Sequence, residues 1–404
     1  MLLLLRWTAT NAPSYSLIDL AKLDGRVAAH LDGLRIAGHE GWKACEEQLA
    51  VNEAGEVFAA SIMALESLDS SHLGKVLKVV DQEQPLAEGL VSALGWLPLE
   101  QARPHIHNFL GSKTPLQMRI GITASAIHRQ NPGPVLQEAL GADEPLLRAR
   151  ALKAVGELGQ TNLLPAGLEN ISSENPKVRF WSAWAAALMS AHPTALSALQ
   201  SIAESRQARS EQAMQVLLRR LDSGAAKAWQ KQLARQPSHL RLAIQAAGII
   251  GDPEFIPWLI EQMKNLPLAR VAGEAFTSIT GVGLAFRDLE RKPPEDFQAG
   301  PTDDPKDENV EMDPDDNLPW PEPTLVADWW QKNQGQFQNG TRYLCGKPMT
   351  IEWLKQVLRD GYQRQRAAAA LELAIRQPGT PLFNVKAPGF RQIQALGKPG
   401  PPIR

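Results

Sequence analysis

Pro145-Leu146-Leu147-Arg148-Ala149-Arg150-Ala151-Leu152-Lys153-Ala154 is the stretch that decides the fold. It opens with proline, which suits the first position of a helix because its missing N–H would have had no partner there. An arginine follows three residues later, and small or apolar residues then recur at helical spacing. The phrase returns along the chain. Helix starts fall at Ala54, Pro85, Pro115, Pro145, Pro176, Gln207, Ser238 and Pro267, at intervals of 29 to 31 residues. Nine residues after each start stand Met63, Leu94, Ala124, Ala154, Ala185, Val216, Ala247 and Phe276, all apolar. Arg148, Arg179, Arg241 and Arg270 stand three residues after four of the starts. A turn and a second apolar helix, such as 253–262, complete the unit. One such pair cannot bury its apolar face alone, so neighbouring pairs must stack.

The expected fold is therefore all-α, an α-solenoid of about eight helix pairs over residues 53–283. An N-terminal helical cap precedes it over 1–52. There Ser16 and Asp19 have the shape of a capping box, and Leu17, Leu20, Leu23, Val27, Leu31 and Leu34 make one helical face that Gly38 closes. Residues 284–323 read as an acidic, proline-rich insertion. A C-terminal helical module follows over 324–376, with helices over 351–359 and 363–376. The proline-rich tail 377–404 reads as extended.

Composition removes several classes of function. The chain has 404 residues, two cysteines 300 positions apart and a net charge of −2. That excludes a disulfide framework, a cysteine-based zinc module and a globally basic nucleic-acid binder. The total conceals a division. Residues 295–316 carry ten carboxylates and one lysine, a charge of −9, so the rest of the chain stands at +7. Leu2–Leu5 is too short for a signal-peptide core, and Arg6 follows it instead of preceding it. No stretch approaches the roughly 20 apolar residues of a membrane span. A cytoplasmic protein is expected, with no membrane partner.

Units reading P-x-x-R-x-x-A-x-x-A resemble HEAT repeats, most closely the short variety found in relatives of phycobilisome lyases. The resemblance covers about residues 54–283 and implies a HEAT-like solenoid. A second resemblance rests on AHLDGLRIAG (Ala29–Gly38), DPDDNLPWP (Asp313–Pro321), TRYLCG (Thr341–Gly346) and GYQRQRAAAALELA (Gly361–Ala374). Together they are similar to an uncharacterised bacterial HEAT-repeat family whose members end in this same module and often lie near type VI secretion genes. That implies an accessory role in type VI secretion. It also implies a longer helical start than Leu3-Leu4-Leu5-Arg6 provides, and it brings no catalytic residue.

Chemistry is sparse. His39-Glu40 is the one His-Glu pair, where a di-iron hydroxylase needs several. His105 and His107 are two apart and share no helical face. Asp313, Asp315 and Asn317 match positions 1, 3 and 5 of an EF-hand loop, but Leu318 and Thr324 stand where glycine and glutamate are required. Cys345 has no His or Asp at a nucleophile's spacing. No catalytic residue, metal site or cofactor is expected. The arginine column suggests a ladder to acids of neighbouring units, such as Asp143, Glu144, Glu174 or Asp252, or else a basic stripe for an acidic partner. Trp320, held between Pro319 and Pro321 beside Asp313, Asp315 and Asp316, is placed to dock into a groove. Trp181 and Trp184 lie near Arg179 and keep a second possibility open, an enzyme or enzyme accessory that is lyase-like or acts on DNA. The first reading is a non-catalytic protein-interaction scaffold whose partner is a secreted effector or a secretion component. A further reading has the acidic insertion folded back on the +7 body as a strap.

Overall fold

A computed structural model describes residues 2–205, 207–295, 297, 299–301, 306, 308 and 312–403. The chain is an all-α, HEAT-like solenoid in which 22 α-helices and one hairpin of two-residue strands, Tyr343–Leu344 and Lys347–Pro348, are described. Among these residues no helix is long and apolar enough to cross a membrane. The residues form two compact units, Met1–Asn11 with Tyr15–Ile202 and Ala370–Pro399, and Ala12–Ser14 with Ala203–Ala369 and Gly400–Arg404.

In the first unit the cap forms as its residues dictate. Ser16 Oγ accepts from the Asp19 N–H, and Asp19 Oδ2 accepts from the Ser16 N–H, at 3.3 and 3.1 Å. Helix Leu17–Ala37 buries Leu17, Leu20, Leu23, Val27 and Leu31, while Leu34 is half-buried. The opening helices of the repeats follow as Ala54–Glu66, Ala87–Trp96, Pro115–Ile127, Pro145–Glu157 and Pro176–Met189, each packed on the next. Small residues permit this. A Cβ on Gly89 would stand 2.5 Å from the Ala54 carbonyl oxygen, and one on Gly156 would stand 2.6 Å from the Trp184 ring. Leu90, Leu94, Ile122 and Val155 are fully buried between the helices. Each such side chain is worth about 1.5–3 kcal/mol of transfer from water.

The second unit continues the pattern with Ser210–Arg220, Leu240–Ile250 and Leu266–Thr280. Of the eight positions nine residues after the predicted starts, seven are buried; Met63 is partly buried against the core. Two starts shift. The sixth repeat's helix begins at Ser210, not Gln207, and the seventh opens with a 3-10 turn at Pro237–His239, so Pro237 takes the place predicted for Ser238. Left-handed residues mark the true register, because Arg129, Gly159, Gly251 and Gly281 close their helices at φ of 57°, 62°, 74° and 74°.

A helix leaves its last carbonyls without partners of its own. Here later segments of chain supply them. In the second unit the Tyr343 N–H donates to the Gly251 carbonyl at 2.8 Å, and Arg342 Nε to that of Ile250 at 3.0 Å. The Cys345 and Gly346 N–H groups donate to Ser278 and Ile279 at 2.7 and 3.0 Å. In the first unit the C-terminal tail performs the same task for three helices. The Leu382 N–H donates to Glu157, Asn384 Nδ2 to Ile127, and Arg391 to Gly95, Trp96 and Leu97. The tail also forms a helix, Gly389–Leu396, where its prolines predicted an extended path. Pro388 stands just before that helix and does not interrupt its hydrogen bonds.

Candidate functional site

Six of the ten predicted site residues, Arg241, Arg270, Asp313, Asp315, Asp316 and Trp320, lie in the second unit, the two arginines on adjacent helices, Leu240–Ile250 and Leu266–Thr280. Chain leaves this surface at Leu289–Arg291 and returns at Leu318–Glu322. The two runs are joined by the Arg291 N–H to Trp320 carbonyl bond at 2.8 Å and the Glu322 N–H to Leu289 carbonyl bond at 2.9 Å, with an antiparallel bridge at Glu290 and Pro321. The acidic insertion therefore emerges from a closed neck. Much of its charged run, at 296, 298, 302–305, 307 and 309–311, lies outside the described residues, and so does most of the predicted strap.

Its last part is defined. The Asp315 N–H bonds Asp313 Oδ1 at 2.9 Å, and the Asp316 N–H bonds the Asp313 carbonyl at 3.3 Å, a tight turn around Pro314. This turn presents two carboxylates. Asp315 takes both terminal nitrogens of Arg241, at 2.6 and 2.8 Å, and Asp313 takes Arg270 at 2.5 Å. Asp315 holds the Arg241 guanidinium above its ordinary pKa, its hydrogen bonds outweighing burial. Trp320 is buried, with Arg270 over its ring at 4.6 Å and Phe297 edge-on at 5.0 Å. Beside them opens a groove of about 720 Å³, lined among others by Arg291, Lys292, Phe297 and the exposed Asp316. Arg291 Nε has no hydrogen-bond partner among the described residues.

The expected docking groups Arg241, Arg270, Asp313, Asp315 and Trp320 are thus engaged with one another. Asp315→Ala should leave a half-buried guanidinium unpaired and cost about 2 kcal/mol, as hydrogen bonds to charged groups do. Chemical denaturation and faster proteolysis within 312–320 would measure it; an unchanged midpoint and digestion pattern would mean that the turn is not anchored there.

In the first unit the arginines act differently. Arg148 Nε donates to the Ala142 carbonyl at 2.7 Å, and Arg179 donates to the Ser173 carbonyl at 2.9 Å. Each ties its helix to the turn six residues back. The expected ladder to Asp143, Glu144, Glu174 or Asp252 is not what these arginines form. Glu144 instead caps the Leu146 and Leu147 N–H groups, and Asp252 pairs with Lys227 at 2.6 Å. Carboxylates so close to a helix start are taken by its free N–H groups. Trp184 is buried over Gly156. Trp181 meets it edge-on at 5.2 Å and carries Lys153 over its face at 4.8 Å.

Cys345 is buried at φ 51° and its amide is spent on Ser278. Burial pushes its thiol far above the ordinary range, which suits packing and not nucleophilic attack. Among the described residues no three His, Cys, Asp or Glu side chains are placed to hold a metal ion.

Sequence reasoning passed over Arg119. Counted back from the left-handed closing residues, Arg148 and Arg270 lie eleven residues before Gly159 and Gly281, whereas Arg119 and Arg241 lie ten before Arg129 and Gly251. The signal was present as an arginine four residues after Pro115, matching Arg241 after Pro237.

Residues 133–218 match the HEAT-repeats family. That span holds the opening helices Pro145–Glu157 and Pro176–Met189 and reaches into Ser210–Arg220. No curated protein matches the chain.

Proposed function

We propose that this HEAT-repeat chain is a non-catalytic protein-interaction scaffold that serves type VI secretion as an accessory in the cytoplasm, with a secreted effector or a secretion component as its partner. HEAT repeats generally act as protein-interaction scaffolds. The observation that carries the reading is the groove beside Trp320. Arg291 and Lys292 line it together with Phe297, so that cationic and aromatic groups meet at one surface. Aromatic and arginine side chains at the centre of a concave surface are the usual anchors of protein partners. The link to type VI secretion is supported by the resemblance of 29–38, 313–321, 341–346 and 361–374 to a family found near such genes.

The test is co-purification from native lysate with the parent chain and with Arg291→Glu/Lys292→Glu. A specific partner retained by the parent and lost by the variant is expected, and deletion of the gene should reduce effector export. A purified chain that turns over a substrate alone and retains no partner would overturn the scaffold. Lys153 over Trp181, with Arg148 and Arg179 nearby in sequence, favours a DNA-acting alternative. Salt-dependent duplex binding would support it, and no binding at low salt would remove it.

A further inference from the structure

Arg119 and Arg148 occupy in the first unit the repeat positions that Arg241 and Arg270 occupy in the second. The first arginine of each pair lies four residues after a helix-opening proline, Pro115 or Pro237. The other lies three residues after the first-turn proline of the next repeat's opening helix, Pro145 or Pro267, and each pair is 29 residues apart. Both pairs stand on helices that pack directly together. Arg150 Nε reaches Thr123 Oγ1 at 2.9 Å between Pro115–Ile127 and Pro145–Glu157. Between Leu240–Ile250 and Leu266–Thr280, a Cβ on Gly248 would stand 3.1 Å from Ala275 Cα.

The pairs differ in what fills them. Arg241 and Arg270 receive Asp315 and Asp313, two aspartates separated by one proline. Among the described residues Arg119 donates to the amide of Gln84, at 3.3 Å, and Arg148 to the carbonyls of Ala142 and Asp143, at 2.7 and 3.4 Å. Neither forms an ion pair among the described residues. The nearby acid, Glu144, has its two oxygens on the Leu146 and Leu147 N–H groups at 3.0 and 2.5 Å. Burial lowers the pKa of Arg119, with Glu144 opposing it. A half-buried guanidinium held by one neutral amide is under-solvated and gains by accepting a carboxylate.

We propose that Arg119 and Arg148 are a docking site for an acidic segment of a partner protein, with two aspartates two residues apart laid across adjacent repeats. The chain displays the ligand for such a pair in its own Asp313-Pro314-Asp315. The proposal deepens the scaffold reading by naming the partner's chemistry. A duplex is the poorer fit, because one pair of guanidiniums matches two carboxylates and not a continuous run of phosphates.

The probe is a free peptide of residues 311–318, titrated by calorimetry at low salt against three full-length proteins. The parent should bind one peptide. Arg119→Gln/Arg148→Gln should bind it roughly tenfold more weakly, the loss expected for two partly exposed ion pairs. Asp313→Asn/Asp315→Asn frees the Arg241–Arg270 pair and should bind two. This variant is the internal control. If it binds one peptide and the parent none, the first-unit site does not exist and the proposal falls. It falls equally if the Arg119→Gln/Arg148→Gln protein binds as the parent does, if no protein binds, or if a short duplex binds in preference with the same dependence on Arg119 and Arg148. The outcome is independent of co-purification, so a failed scaffold and a failed site are told apart.

Discussion

Gly251→Ala is expected to destabilise the second unit by at least about 3 kcal/mol, two costs acting together. The residue sits at φ 74°, and a left-handed conformation costs a residue with a Cβ about 1–2 kcal/mol. The added Cβ would also stand 2.3 Å from the Tyr343 carbonyl oxygen. That atom is backbone, so no rotamer change relieves the overlap. The strand Tyr343–Leu344 must lift, and the carbonyls of Ile249, Ile250 and Gly251 then lose Arg342 and the Tyr343 N–H. Gly340→Ala is the control. Gly340 has φ 84° and nothing within 4 Å of where its methyl group would stand, so it should show the conformational cost alone, about 1 kcal/mol. Urea denaturation and amide exchange at Tyr343 and Cys345 would read both. If Gly251→Ala costs no more than Gly340→Ala, the segment 341–346 does not rest on that helix end.

The helix ends were legible in the sequence; what covers them was not. Gly38 and Gly361 could be read as stops, and the eight apolar positions from Met63 to Phe276 marked the buried face, because both signals are local. Caps from a distant segment leave no such trace. The amides of Tyr343, Cys345 and Leu382 do the capping, and a backbone N–H looks alike in every residue. The arginine column shows the same limit. Its positions were visible, but charge attraction has no preferred separation in sequence, so nearby acids were the natural partners to name. The real ones for Arg241 and Arg270 lie 74 and 43 residues onward. Arg241 also belongs one residue further round its helix than the phrase suggested, since Pro237 and not Ser238 opens that repeat. Arg119 becomes recognisable once that register is corrected.

Asp24→Ala should cost the first unit about 3–5 kcal/mol, the range for removing one member of a buried ion pair. Asp24 is 1% exposed and serves two remote segments at once. Its Oδ1 accepts from Arg6 Nε at 2.6 Å, and its Oδ2 accepts from the Gly389 N–H at 2.6 Å. Arg6 in turn donates to the Lys386 carbonyl at 3.1 Å and lies 5.7 Å from the Trp96 ring. One carboxylate thus holds helix Leu2–Ala9, which carries Arg6, and the C-terminal tail to helix Leu17–Ala37. Without it, a buried guanidinium faces no anion, and its charge adds to that of Arg391, whose pKa burial and Arg6 already lower. The tail loses the bond from its Gly389 N–H to Asp24, so it should leave first. Proteolysis between 377 and 399 should then precede loss of helical signal. Asp24→Asn keeps the shape and one acceptor and should fall between parent and alanine. Arg6→Leu/Asp24→Leu removes both charges and should recover part of the loss, because the penalty lies in the unpaired charge and not in the missing pair. If the double substitution is as unstable as the sum of the single ones, the two side chains act independently and the latch is not an ion pair.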